Sequence, residues 1–234
     1  MKQYPRFLHP ASLELYNYWN AQRGARTAPY RSEIEPADIR DVLSDIFILD
    51  VEGDGRYVWR LAGTRVCTVH CRELKGRNFI SDWAGDNEEQ MRSLLRTVVD
   101  KNLVAVVEII GRNTRNQSIE MEMILMPLHV EGSNEKRVLG CLAPLDQPYW
   151  LGISPPVNRE IVTTRVIWPS TPFGDPLPRR AAAIFGRAQP RQNEPASLLF
   201  MPHANMRRIR HLVVLDGGKK ATATNNGGGP DFAA

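Results

Sequence analysis

Cys67-x-x-His70-Cys71 is the one cluster in this 234-residue chain whose side-chain types could hold a metal or a haem iron. On a helix Cys67 and Cys71 would share a face, and thiolate with imidazole suits zinc or iron. A closed zinc site needs four ligands, and the distant His129 and Cys141 are the only helpers in sequence. The expectation is two buried thiols beside a surface histidine, with neither metal nor haem held through Cys67, His70 or Cys71. Arg23, Arg26 and Arg31 form a second set. Guanidinium forks match phosphate geometry, so these three could present an anion-binding or partner surface. Glu33, Glu35 and Asp38 stand close enough to pair with them, and pairing is the favoured reading. Met91, Met121, Met123 and Met126 could line a plastic pocket or simply fill a core. No phosphate-binding glycine loop, nucleophile elbow or Ser/His/Asp set stands out. No catalytic residue is assigned, and the chain reads as a non-enzyme.

Any such residue must be held by the elements around it. Ser12 can cap a helix running to about Arg23, with Leu15, Tyr16, Tyr18 and Trp19 on its apolar side and Gly24 as its stop. Pro36 opens a short helix ending near Leu43. Ile46 to Val51 predicts a buried strand and Glu52 to Gly55 a turn. Tyr57 to Ala62 is then the return strand, with Tyr57, Trp59 and Leu61 on one face. Thr64 can cap a helix carrying Val66, Cys67 and Val69. Asp86 and Glu89 resemble a capping box before the clearest amphipathic helix, where Met91, Leu94, Leu95, Val98 and Val99 form one stripe. Three strands follow, at Val104 to Ile110, Ile119 to Leu125 and Val138 to Ala143. In the middle one Glu120 and Glu122 alternate with apolar residues, as on a half-buried strand. Beyond Gly152 prolines interrupt the pattern, and one further strand is expected at His211 to Leu215.

The net charge of +4 is unevenly placed. Residues 1–150 hold 19 Lys/Arg against 21 Asp/Glu, a net of −2, whereas residues 151–234 hold 11 against 5, a net of +6. Ten of the 17 prolines also fall in the second part. The basic character thus belongs to a segment poor in regular structure, and a nucleic-acid partner is not expected. No apolar leader or membrane-length run is present, and three cysteines without framework spacing fit a reducing cytoplasm.

In order, Leu15-Tyr16-x-Tyr18-Trp19, Arg23-Gly24-x-Arg26-x-x-Pro29-x-Arg31, Phe47-Ile48-Leu49-Asp50, Arg60 to Cys67, Arg72-Glu73-Leu74-Lys75-Gly76, Leu125-Met126-Pro127-Leu128, Leu139-Gly140 and Trp150-Leu151-Gly152 form a recognisable series. It resembles a PAS-like family of short, mostly alphaproteobacterial proteins. At position 71, where that pattern has glycine, this chain has Cys71. The resemblance implies an α+β fold: a five-stranded antiparallel sheet with helices on one face, an N-terminal helical extension and a largely irregular C-terminal arm. The expected organisation is an extension over 1–44, the PAS-like domain over 45–150, a Pro-rich basic arm with a short strand over 151–218, and a disordered tail over 219–234. The implied role is a non-catalytic sensory or regulatory module that takes a small, mostly apolar ligand or a signalling partner. Its cup would be lined by Cys67, Met91, Leu95, Val98, Ile109, Met121, Met123 and Leu125. A filled-core adaptor and an anion- or nucleotide-binding regulator using the N-terminal arginines are the alternatives. The aromatic N-terminal helix carries more apolar surface than a free helix can keep, which argues for packing on the sheet or across a homodimer.

Overall fold

The computed structural model describes residues 7–53 and 55–168, together with the backbone of Met206–Ile209 and Leu212–Leu215. Its first helix, α1 (Pro10–Arg23), starts one turn earlier than Ser12 predicts. His9 is the cap, its ring Nδ1 accepting from the Ala11 N–H at 3.1 Å, and Pro10 takes the first position, where no N–H is needed. Ser12 lies buried inside the first turn instead. Gly24 ends the helix at φ 55°, as its sequence position suggests. Two short 3-10 turns, Arg31–Glu33 and Pro36–Ile39, lead into the sheet.

Strands β1 (Ile46–Val51) and β2 (Tyr57–Ala62) form the expected hairpin, closed by the Glu52 N–H on the Arg56 carbonyl at 2.9 Å. Leu61 departs from expectation. Ile48 pairs with Leu61 and Leu49 with Trp59, so Arg60 is an extra residue and the strand bulges there. Tyr57 and Trp59 face the core while Leu61 is turned outward. Helix α2 (Thr64–His70) follows, with Gly63 rather than a Thr64 side chain before its first turn. After the Phe79–Asp82 turn comes α3 (Asp86–Lys101), entered through Gly85 without a side-chain cap, so the expected capping box is not formed. Its stripe behaves as the spacing predicts: Met91, Leu94, Leu95, Val98 and Val99 are all buried. Each contributes about 1.5–3 kcal/mol of burial.

The sheet has six strands, not five. β3 (Val104–Arg112), β4 (Ser118–His129), β5 (Lys136–Pro144) and β6 (Asn158–Ile167) complete it in the order β2-β1-β5-β4-β3-β6, antiparallel throughout. β6 lies in the segment expected to be irregular. It pairs with β3 from Val104↔Ile167 to Arg112↔Asn158, bulging at Val162. The Ile161 N–H there donates to Asn87 Oδ1 at 2.8 Å, fastening the strand to the start of α3.

Helices also cover both faces rather than one. On one side α2, α3 and the Phe79–Asp82 turn enclose Phe47, Leu49, Trp59, Val107, Met121 and Met123. On the other, α1 lays Leu15, Tyr16 and Trp19 over Ile46, Ile48, Val104, Ile124, Met126 and Cys141. The Trp19 indole N–H donates to the Pro127 carbonyl at 2.9 Å, past the last β3–β4 pair. The second layer explains why β4 is buried on both faces from Met121 to Leu128. It also overturns the half-wet reading of Glu122, which is fully buried and accepts the N–H groups of Leu8 at 2.8 Å and His9 at 3.0 Å. These are donors just ahead of α1.

Beyond Trp168, the strand expected near His211 appears as β8 (Leu212–Leu215), paired antiparallel with β7 (Met206–Ile209) in a separate unit spanning Pro190–Ala234. The rest of the expected arm and the tail over 219–234 lie outside the described residues.

Candidate functional site

The predicted cup residues are brought together. Met91, Leu95 and Val98 of α3 meet Ile109, Met121, Met123 and Leu125 of the sheet in one cluster, all at most 2% exposed, with Cys67 of α2 packed at its margin. The same interior takes large rings. Phe47 lies 5.0 Å from Trp59 and 6.0 Å from Phe79, and Trp59 lies 5.2 Å from Phe79. The Phe47 ring crosses Gly140 of β5 so closely that a Cβ there would come within 2.2 Å of it. Only glycine lets the ring lie down in this position.

The arginine set does not converge. Arg26 makes a two-pronged pair with Glu33, both contacts at 2.8 Å, and lies over the Tyr30 ring. Arg23 stacks on Trp19 and donates to the carbonyls of Gly24 and Arg26. Arg31 donates to the Ile34 carbonyl. All three hold the loop after α1 in shape, and Glu33 gains the partner expected of it.

The Cys67, His70, Cys71 cluster is dispersed in a way that reverses the expectation of buried thiols and a surface histidine. Cys71 is exposed and Cys67 half-buried, while His70 is buried. Burial, and then Glu73, push the Cys67 thiol above its usual range. Burial does the same to Cys141. Cys71 stops α2 in the left-handed region at φ 50°, ψ 30°, the conformation that glycine adopts without cost. Among the described residues, no set of three His, Cys, Asp or Glu side chains is gathered as metal ligands.

His70 turns instead toward a cleft of about 250 Å³ that no sequence motif singles out. Its Nδ1 is 2.8 Å from the Val66 carbonyl, so that nitrogen carries the hydrogen and Nε2 faces Asp82 at 3.5 Å. Burial above all, reinforced by Arg159 and Arg72 against the pull of the Val66 carbonyl, lowers the His70 pKa to about 3. The ring is therefore neutral near pH 7. Asp82 ends the Phe79–Asp82 turn and sits among cations: Arg72 pairs with its Oδ1, and Arg159 of β6 lies 3.6 Å from its Oδ2. The side chains of His70, Asp82 and Arg159 are 2%, 5% and 8% exposed, whereas Arg72 is 45% exposed. Arg159 Nε, Trp83 Nε1 and Asp82 Oδ2 are buried without a hydrogen-bond partner. Pro155, Pro156 and Val157 also line the cleft. Gly111 of β3 makes room for it, since a Cβ there would meet Pro156 at 2.7 Å.

Sequence reasoning missed this site because its parts come from three separated stretches. The one available signal was an arginine, Arg159, at the start of an alternating run that the surrounding prolines obscured.

A sequence profile of the PAS domain family matches residues 7–143, which is more than half of the chain. No curated protein matches it. The matched segment takes in α1, both helical layers and strands β1 to β5, while β6 with Arg159 follows it. PAS domains are in general sensory or regulatory modules, and with its six-stranded antiparallel sheet and flanking helices this chain belongs to the PAS domain family.

Proposed function

We propose that the chain is a non-catalytic PAS regulatory module that acts by docking a signalling partner, its central cup filled by its own side chains. The packed interior carries this reading. Within the interior Phe47 packs edge-on and Phe79 tilted against Trp59, and Met91, Met121 and Met123 belong to the same buried cluster at no more than 2% exposure. Interiors packed in this way are dense, and methionine fills what rings leave over. The homodimer expected from the aromatic helix loses its main argument, because Leu15, Tyr16 and Trp19 are buried on the chain's own sheet.

Benzene is a suitable probe, since apolar cavities made by truncation bind it. The freshly purified protein should show the bare chain mass by native mass spectrometry and no saturable methyl shifts with benzene. Met123→Ala should create a benzene site and lower stability by about 2–5 kcal/mol. An apolar small molecule retained by the wild type, or saturable benzene binding to it, would replace this reading with an internal-ligand sensor.

A further inference from the structure

The cleft between the end of α2, the Phe79–Asp82 turn and the start of β6 holds charges that its own residues do not balance. Arg72 and Arg159 bring two positive charges and Asp82 one negative, while His70 is neutral. Buried Arg159 is faced by buried Asp82, and the second positive charge, on the 45%-exposed Arg72, stands at the solvent side of the recess. Two buried donors, Arg159 Nε and Trp83 Nε1, also have no partner, although nearly all buried polar groups in folded proteins are satisfied. Trp83, Ala84, Pro155, Pro156 and Val157 add apolar lining beside Ser81, and the volume of about 250 Å³ falls below the roughly 300–1,000 Å³ of sites for drug-sized ligands. A small anion with an apolar side answers these groups.

We propose that this cleft binds a small monocarboxylate with a flat apolar body, its carboxylate held by Arg159 and Arg72 and its body against Trp83 and Pro156. A single carboxylate cancels the surplus charge. A phosphate dianion overshoots it, and a cation adds to it. Guanidinium groups take carboxylates through paired, charge-assisted hydrogen bonds, and an indole offers both a donor and a broad apolar face. Asp82 stays in place as the partner that holds Arg72. Pro156 and Arg159 lie past residue 143, where the family match ends, so half of the site is built by β6 and the segment before it. This goes beyond the regulatory role above and does not depend on whether the central cup is filled.

The test is calorimetric and NMR titration of the intact chain with benzoate, acetate, benzylamine and inorganic phosphate. Expected are saturable one-to-one binding of benzoate, at least tenfold weaker acetate, phosphate weaker than benzoate, and no binding of benzylamine. Arg72→Gln should weaken benzoate tenfold or more without loss of fold, because that side chain is nearly half exposed. Trp83→Phe should weaken it and remove a shifting indole N–H signal. Arg159→Gln should abolish it; should that variant not fold, Arg72→Gln and Trp83→Phe decide. The proposal is overturned by an absence of saturable benzoate binding to the wild type, by a preference for phosphate or benzylamine, or by benzoate affinity unchanged in Arg72→Gln and Trp83→Phe.

Discussion

His70 shows what burial does to a single titratable group. In the unfolded chain it takes up a proton as pH falls below its ordinary 6.5, whereas in the fold it resists until about 3. Between those values the unfolded state binds the extra proton, so stability must fall as pH falls, with no effect of this group above about 7. At pH 5 the loss is about 2 kcal/mol at most, since Asp82 at 3.5 Å eases the charge. Urea midpoints measured at pH 7.5 and 5.0 should differ accordingly, and His70→Gln should flatten that part of the difference. Cys71 is a second residue-scale case. A left-handed residue other than glycine costs about 1–2 kcal/mol, part of which glycine gives back as unfolded-state freedom. Cys71→Gly should therefore raise stability by up to about 1 kcal/mol, read from the same urea curves. The family resemblance places a glycine at this position, and the left-handed backbone at the end of α2 is the reason for it.

At the scale of elements, α1 is a layer of the fold and not an appendage. Trp19 is fully buried and its indole N–H is bonded to the Pro127 carbonyl. Trp19→Ala should cost about 3–5 kcal/mol, with Trp19→Phe recovering most of the packing and losing the hydrogen bond. If thermal melts of Trp19→Ala match the wild type, α1 is not part of the core. The helices and the first five strands were legible because their apolar periods are regular, as in the Met91 to Val99 stripe and the β1–β2 hairpin. Both-sided burial of the sheet was harder to read. Glu122 sits in a strand that alternates, and the donors that make its burial tolerable, the N–H groups of Leu8 and His9 and the Arg165 guanidinium, are distant in sequence. β6 was missed for a different reason. Prolines on either side suggested irregular chain, yet Asn158 to Ile167 itself contains none.

At the scale of the whole molecule, Glu122 joins distant parts of the sequence. Its carboxylate accepts from the N-terminal residues ahead of α1 and faces Arg165 near the end of β6 at 3.4 Å. Glu122→Gln should destabilise by about 1–3 kcal/mol by removing the charge that strengthens these bonds. Hydrogen exchange should then speed up at the start of α1 and the end of β6 together; acceleration at one site alone would show that they are not coupled. The candidate cleft was invisible in sequence for a related reason, because His70, Asp82 and Arg159 meet only through tertiary structure. The long reach of α1 also sets a clock. A ribosome adds roughly 5–20 residues per second, so Leu15, Tyr16 and Trp19 leave the exit tunnel some 5–20 s before Pro127 does. For that interval an aromatic helix face waits outside the ribosome without the surface it packs on. Slowing translation should lengthen that exposure and raise the share of nascent copies that aggregate, as read from the pelleted fraction.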